Sequence, residues 1–387
     1  MKFKFGTSSL LASAMAAICI GMSGGAAAVP STSDDDAVTA KARYLNTRLS
    51  KKTIAARQKY FGFDNVNPRT GAVRSDRVIM SWVGVSTFAA SFNGHVVMLD
   101  GYLAYARTGT WGNSKEYLGT DAKEYASLMP EMYFFGHGHS DHMGHLPEIL
   151  SYLPSLPMFG VEEHCNDIRA GMAPAVVNCT SIVPAGAQFG TQAVLPANLL
   201  PGVELRAVKH PHSAFPADRI NDPPFSTMQA VVRPCIAYSL YPPNGSEPSP
   251  FGGPTSGVLS LSWQFKVGNF GLGWSDTTGD ISGNRPVAGL GTGAEVPAVF
   301  ESWPQTHVLF GSIAVSPRRI FNQHIAAIAP QLFIPIHHDP CAFDVKRELD
   351  DQMKTLPAAL RPQVWYISDP GDYVRPIVFD PKAAGWQ

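Results

Sequence analysis

From about residue 76 onward, short apolar runs alternate with turn-rich polar segments, and this rhythm predicts the elements. "RVIMSWVGVSTFAASF", a turn at Asn93-Gly94 and "HVVMLDGYL" read as a β-hairpin. "AKEYASLMPEMYFFG" reads as a short helix feeding a strand that ends at Gly136. "HLPEILSYLP" has helix-spaced apolar residues, and "GVELRAVKH" is a strand that runs out in histidines. "SLSWQFKVGNFGLGWSD" is a pair of strands across Gly268-Asn269, ending at Asp276. The helix "SPRRIFNQHIAAIAP", the strand "QLFIPIHHDP", the helix "DVKRELDDQMKTL" and the strand "QVWYI" follow. Strands outnumber helices, so the pattern predicts a mixed α/β fold in which two sheets lie between helical layers.

The N-terminal 75 residues read differently. Lys2 and Lys4, the 13-residue apolar run "LLASAMAAICIGM" and the small-residue stretch "GGAAAVP" have the form of a secretory signal peptide over residues 1–28, cut after Ala28. The apolar run falls short of the ~18 residues a membrane span needs, so no stable membrane anchor is expected after cleavage. A periplasmic or secreted location follows. Residues 29–75 form an N-terminal helical arm, with "STSDDD" capping a helix over about 35–60. Seven basic residues and no acidic one lie between Ala37 and Phe63. This face suits an anionic surface, a subunit contact in a homo-oligomer or, more simply, a solvated helix packed through Tyr44, Leu45 and Leu49.

Composition narrows the function classes. Of 30 basic residues, Lys2 and Lys4 leave with the leader, so 28 face 31 acidic ones, a net charge of −3. This near-neutral balance argues against nucleic acid as a partner, because such affinity rests on Lys and Arg neutralising phosphates. Cys165, Cys179, Cys235 and Cys341 remain, an even number in an exported chain, and the expected disulfides are Cys165–Cys179, which closes a short loop, and Cys235–Cys341.

The chemistry concentrates where strands end. "FFGHGHSDHMGH", residues 134–145, places His137 and His139 two apart just past a strand, within reach of one metal ion, with Asp141 and His142 beside them for a second. His210 and His212 in "AVKHPHS" are alternatives for a third ligand of the first metal. Asp276 in "GWSDTTGD" is a candidate bridge between the ions, and His337 in "IPIHHDP" a last ligand of the second. Imidazole and carboxylate suit zinc, with iron or manganese as alternatives. Two divalent ions ~3.5–4 Å apart can hold a bridging hydroxide near neutral pH. Structural zinc sites are usually closed and cysteine-rich, which this set is not. His145 matches no ligand position and reads as a local support of the ligands or a helix-start residue. His95, His164, His307 and His324 lie outside the strand-end pattern. Asp100 either orients a ligand histidine or caps a turn.

Over residues 76–387, most clearly about 76–380, these motifs resemble the metallo-β-lactamase superfamily, whose hydrolases have a four-layer αββα fold. The hairpin "SWVGVSTFAASFNGHVVMLDGY", "SDTTG" and "IPIHHD" are most similar to the lactonase and phosphodiesterase branch that includes ascorbate-lactonase-like proteins. The resemblance implies His137, His139 and His212 on the first metal; Ser213 after His212 favours it over His210. It implies Asp141, His142 and His337 on the second metal, and Asp276 as bridge. Asp141 and His338 are the candidates for direct catalytic participation, with His338 equally placed to support a ligand. The implied activity is cleavage of a small-molecule ester or lactone, with phosphodiester or phosphotriester hydrolysis next. The bridging aspartate argues against β-lactam hydrolysis. A non-catalytic metal-binding scaffold is the reading from another class. Residues 214–257 read as an insertion beside the site, and Trp111, Phe215 and Phe225 as candidate pocket aromatics.

Overall fold

The computed structural model describes residues 49–103, 120–212, 259–284, 286–313, 320–338, 342–367 and 374–383. The leader, most of the arm, the 214–257 insertion, Cys235, Cys341, Trp111, Phe215 and Phe225 therefore lie outside the described residues.

Fourteen strands form two seven-stranded sheets among the described residues. The first has the order β14-β1-β2-β3-β4-β5-β6, from Ile377–Phe379, Val78–Gly84, Thr87–Phe92, His95–Leu99, Met132–Phe134, Met158–Val161 and Cys179–Val183. The second has the order β13-β12-β11-β10-β9-β8-β7, from Gln363–Val364, Leu332–Ile336, Val308–Ser312, Phe270–Ser275, Leu259–Val267, Glu204–Pro211 and Gln192–Val194. In each sheet an antiparallel meander passes into parallel strands. Because β8 and β10 both run antiparallel to β9, they point the same way as β11 and β12. Their carboxyl ends consequently emerge along one edge.

Among the described residues the α-helices are α1 (Lys51–Phe61), α2 (Ala122–Ala126), α3 (Ser140–Met143), α4 (Leu146–Tyr152), α5 (Glu162–Met172), α6 (Val296–Ser302), α7 (Ile320–Ile328) and α8 (Ala342–Met353). Three apolar layers define how they stack. Met80, Phe88, Phe92, Leu99 and Phe134 of the first sheet meet Leu261, Trp263 and Phe265 of the second, with Phe92 and Phe265 stacked at 4.3 Å. Alternate residues of the first sheet, such as Ile79, Met98 and Tyr133, turn outward to Tyr60 of α1, Tyr125 of α2, Ile149 of α4 and Ile168 of α5. Leu309 and Phe333 of the second sheet face Phe321 and Ile325 of α7 and Leu349 and Met353 of α8. The architecture is thus α/β/β/α, as the sequence predicts.

Most predicted elements occur, with two corrections. The run predicted as one strand over "RVIMSWVGVSTFAASF" is two, β1 and β2, because the chain reverses at Gly84 and Val85, which have φ of 139° and 51°. The helix expected over about 35–60 is non-helical at Leu49 and Ser50. Helix α1 starts at Lys51 because Ser50 Oγ accepts from Thr53 N at 3.0 Å, and it ends at Gly62. Its basic residues are partly structural. Arg57 is buried and donates to the carbonyls of Leu128, Gly71 and Met129 at 2.9–3.1 Å, and Lys59 pairs with Glu124 at 2.6 Å. None of the described helices is long and apolar enough to cross a membrane.

The expected Cys165–Cys179 disulfide is present and staples α5 to β6 across a sequence separation of 14 residues. Cross-linking a loop of this length stabilises by about 3 kcal/mol in the chain-entropy account. Replacing both cysteines with serine should lower the unfolding free energy, read by urea denaturation, by about that amount, while the circular dichroism of the folded protein is unchanged.

Candidate metal centre

The two sheets close on each other at the carboxyl end of β4. Trp263 Nε1 donates to Phe135 O at 3.1 Å, and Leu261 N donates to Gly136 O at 2.9 Å, so strand β9 of the second sheet grips the chain leaving β4. On its other side Gly136 N donates to Asp100 Oδ1 at 3.2 Å. A Cβ on Gly136 would lie 2.0 Å from the Asp276 carboxyl carbon. Glycine is required here because its α-carbon lies against that carboxylate.

This closure delivers His137 to Asp276, which ends β10: His137 Nδ1 lies 2.5 Å from Asp276 Oδ2, and His142 Nδ1 lies 3.5 Å from the same oxygen. Ser260 on β9 donates its hydroxyl to Asp276 Oδ1 at 2.7 Å. His137, Asp276 and His142 are buried. Around them, the His137 ring lies 4.6 Å from that of His139, 4.4 Å from His212 and 3.9 Å from His142, and His139 lies 4.5 Å from His212. His337, at the end of β12, stands 5.1 Å from the His142 ring.

Among the described residues, two groups of three have ligand atoms all within 4.8 Å of one another: His137, His139 and His212, and His137, His142 and Asp276. The first coincides with the predicted first-metal set, with His212 rather than His210 as its third member. The second joins the predicted second-metal residue His142 and the predicted bridge Asp276 to His137. His337 lies beside this group without joining it. Asp141 occupies α3, between His139 and His142 in sequence, and its side chain lies outside the described residues. The turn of α3 sets the local spacing: His142 N and Met143 N both donate to His139 O, at 3.0 and 2.9 Å.

The donor set suits a cation. Burial, reinforced by His137, His139 and His142, pushes the His212 pKa well below the ordinary histidine value. The ring is therefore neutral, and its buried Nδ1 has no hydrogen-bond partner. A neutral imidazole that offers a lone pair close to a buried carboxylate suits a divalent ion.

Asp100, at the end of β3, holds His142. Its Oδ2 lies 2.9 Å from His142 Nδ1 and accepts from Ser86 Oγ at 2.5 Å. With Nδ1 directed at this carboxylate, His142 presents Nε2 as its lone pair. Burial, followed by the charge of Asp276, raises Asp100 to about 7, against the hydrogen bonds from His142 and Ser86. Of the two Asp100 alternatives the geometry favours the orienting one, because its side chain bonds to His142, Ser86 and Gly136 N. Ser86 lies in the tight turn between β1 and β2, whose Val85 O accepts from Trp82 Nε1 and from His337 N, each at 2.9 Å.

Sequence patterns did not point to Gly136, Ser86 or Ser260. Gly136 alone carried a signal, a glycine immediately before the first histidine. His338 is buried against Trp82 and Tyr366, and its Nε2 donates to Ile367 O at 2.9 Å. His145 is the residue before α4, as predicted, and its Nδ1 accepts from Leu103 N at 3.0 Å. His210 faces away from the cluster, toward His324 on α7.

The sequence matches no protein-family model and no curated protein. Among solved structures, it is similar to Igni18, a metallo hydrolase from Ignicoccus hospitalis, at 16% identity and TM-score 0.45, covering 78% of this chain and 98% of that one. It is similar to the metallo-beta-lactamase fold protein YhfI from Bacillus subtilis at 10% identity and TM-score 0.44, covering 79% and 99%. It is also similar to CmlA, a diiron beta-hydroxylase from Streptomyces venezuelae, at 10% identity and TM-score 0.43, covering 80% and 55%.

Two predictions follow from this geometry. Gly136→Ala forces its methyl onto Asp276 and should cost about 1–3 kcal/mol, the usual penalty of overpacking, together with a loss of bound metal measurable by elemental analysis. The second concerns acid. Burial lowers His145 and His324 to about 4 each, so the unfolded chain takes up their protons near pH 6.5 while the folded chain does not. Each should therefore subtract about 1.4 kcal/mol of stability per pH unit as pH falls from 6.5 to 4. Urea midpoints of metal-free protein across that range should fall less steeply in His145→Gln than in the parent.

Proposed function

We propose that the chain is a metal-dependent hydrolase that holds two divalent ions, zinc foremost, and cleaves an ester or lactone in a small molecule. The observation that carries this reading is the convergence of His137, His139, His142, His212 and the buried Asp276 into two groups that share His137, from places in the chain separated by up to 139 residues. His137, His139 and His212 would hold one ion, and Asp141, His142 and His337 the other, with Asp276 between them. Bound ions would supply Lewis acidity toward the substrate oxygen and lower the pKa of water to about 7.

The chain's own groups set the geometry for that chemistry. Ser260 fixes Asp276 Oδ1 and leaves Oδ2 toward His137 and His142. Ser86 and Asp100 fix the His142 ring. The hydrogen bond from His338 to Ile367 O anchors the backbone beside His337, so His338 enters this reading as a support. The −3 net charge of the processed chain supports an uncharged ester over a polyanionic substrate, and the signal-like N-terminus supports export to a periplasmic or secreted location.

Purified protein should contain about two metal ions per chain and lose hydrolysis on chelation. His139→Ala should lower turnover at least about 100-fold while its circular dichroism matches the parent. Full activity in that variant would refute the assignment, and a parent protein that binds no metal would leave the scaffold reading. A panel of aryl esters, lactones, phosphodiesters and a chromogenic β-lactam assigns the bond cleaved, with the largest kcat/KM expected on an ester or lactone.

A further inference from the structure

Behind the ligand cluster, on the helix-covered face of the second sheet, two buried histidines face each other. His210 lies on β8, two residues before His212, and His324 lies on α7. Their ring centroids are 5.1 Å apart at an interplanar angle of 75°. Each ring makes its hydrogen bond to a backbone carbonyl beside the metal centre. His210 Nδ1 donates to Pro211 O at 2.8 Å, one residue before His212. His324 Nε2 donates to Gly279 O at 2.9 Å, three residues after Asp276. The other nitrogens, His210 Nε2 and His324 Nδ1, are buried without a hydrogen-bond partner, so these outward bonds are what the polar atoms of the pair accomplish.

The two carbonyl-bearing segments are also in contact. A Cβ on Gly279 would lie 1.8 Å from Pro211 O, so the α-carbon of one segment rests on the carbonyl of the other. The stretch that delivers His212 and the stretch that delivers Asp276 cannot shift independently. Helix α7 grips the second stretch twice, because Gln323 Oε1 accepts from Ile281 N at 2.9 Å. Phe300 of α6 packs on the His324 ring at 5.7 Å and holds it in place.

We infer that His324, acting with His210, is a positioning residue of the metal centre: its bond to Gly279 O fixes the separation of His212 and Asp276. This inference rests on the reading of those two residues as metal ligands. An apolar ring in its place would fill the volume and leave Gly279 O without its donor, loosening the ligands without touching them. Outer groups of this kind are worth ~10–100-fold in metal affinity.

The test measures zinc affinity by competition with a chromogenic chelator, and the urea midpoint of metal-free protein, in the full chain and three variants. His324→Phe keeps the bulk and removes the donor. His324→Gln places an amide nitrogen where Nε2 stood, and His324→Asn carries a donor too short to reach. Phe and Asn should bind zinc ~10–100-fold more weakly, and Gln should match the parent, an order that overall stability does not reproduce. Phe and Asn binding zinc as tightly as the parent, or Gln binding as weakly as Phe, overturns the inference. If Phe fails to fold, the Gln and Asn pair decides by the same criterion. A parent chain that takes up no zinc overturns the metal-centre reading itself, an outcome distinct from parent and variants binding equally.

Discussion

The geometry of the histidine and aspartate cluster depends on the contact at Gly136, where two separate sheets come within hydrogen-bonding distance. One residue donates to Asp100, accepts from Leu261 and gives up its side chain to the Asp276 carboxylate. Sheets packed face to face stand about 10 Å apart, a gap filled elsewhere by pairs such as Phe92 and Phe265. A site that needs ligands from both sheets must close that gap locally. Gly136 does so with backbone, where no side chain could.

Around this contact the chain tolerates unfavourable backbone. Val85, Asp100 and His337 all have positive φ, of 51°, 53° and 62°, each a conformation that costs on the order of 1–3 kcal/mol for a residue with a side chain. All three are held by hydrogen bonds around the site. Val85 O takes two donors, one of them His337 N, and Asp100 N donates to Phe134 O at 2.9 Å. The strain is thus local to the residues that turn strand ends inward, and the flanking sheets and indole groups hold it there. Electrostatics follow the same plan. Two buried acidic side chains, Asp100 and Asp276, lie among histidine rings, and burial holds the His212 ring well below the ordinary histidine pKa, an arrangement suited to a cation.

Legibility differed by scale. Apolar runs located most strands and helices because a buried strand is continuous in hydrophobicity, but that same continuity hid the break at Gly84–Val85. With both faces covered, Ile79 and Met80 look alike in sequence although they point into different layers. Elements such as β5, α5 and β11 carried no motif and were not anticipated. In the site, His137, His139 and His142 were legible because they are neighbours along the chain. Ser86 and Ser260 were not, since a serine in a strand or turn looks the same whether or not it faces a ligand.

The choice between His210 and His212 marks the boundary. The amino-acid sequence by itself determined that histidines and aspartates cluster where strands run out, and that their types suit a divalent metal. The family resemblance favoured His212 through Ser213, but only the tertiary structure shows which of His210 and His212 meets the other clustered histidines. His210 lies within β8, and the pleat there sends its ring to the helix-covered face and His324; His212 lies beyond the last paired residue, Pro211, and reaches His137 and His139. The physical reason is that ligand types and their local spacing are properties of a short stretch of chain. The direction of a side chain at a strand end depends on where pairing with β9 stops and on how closely the opposite sheet approaches.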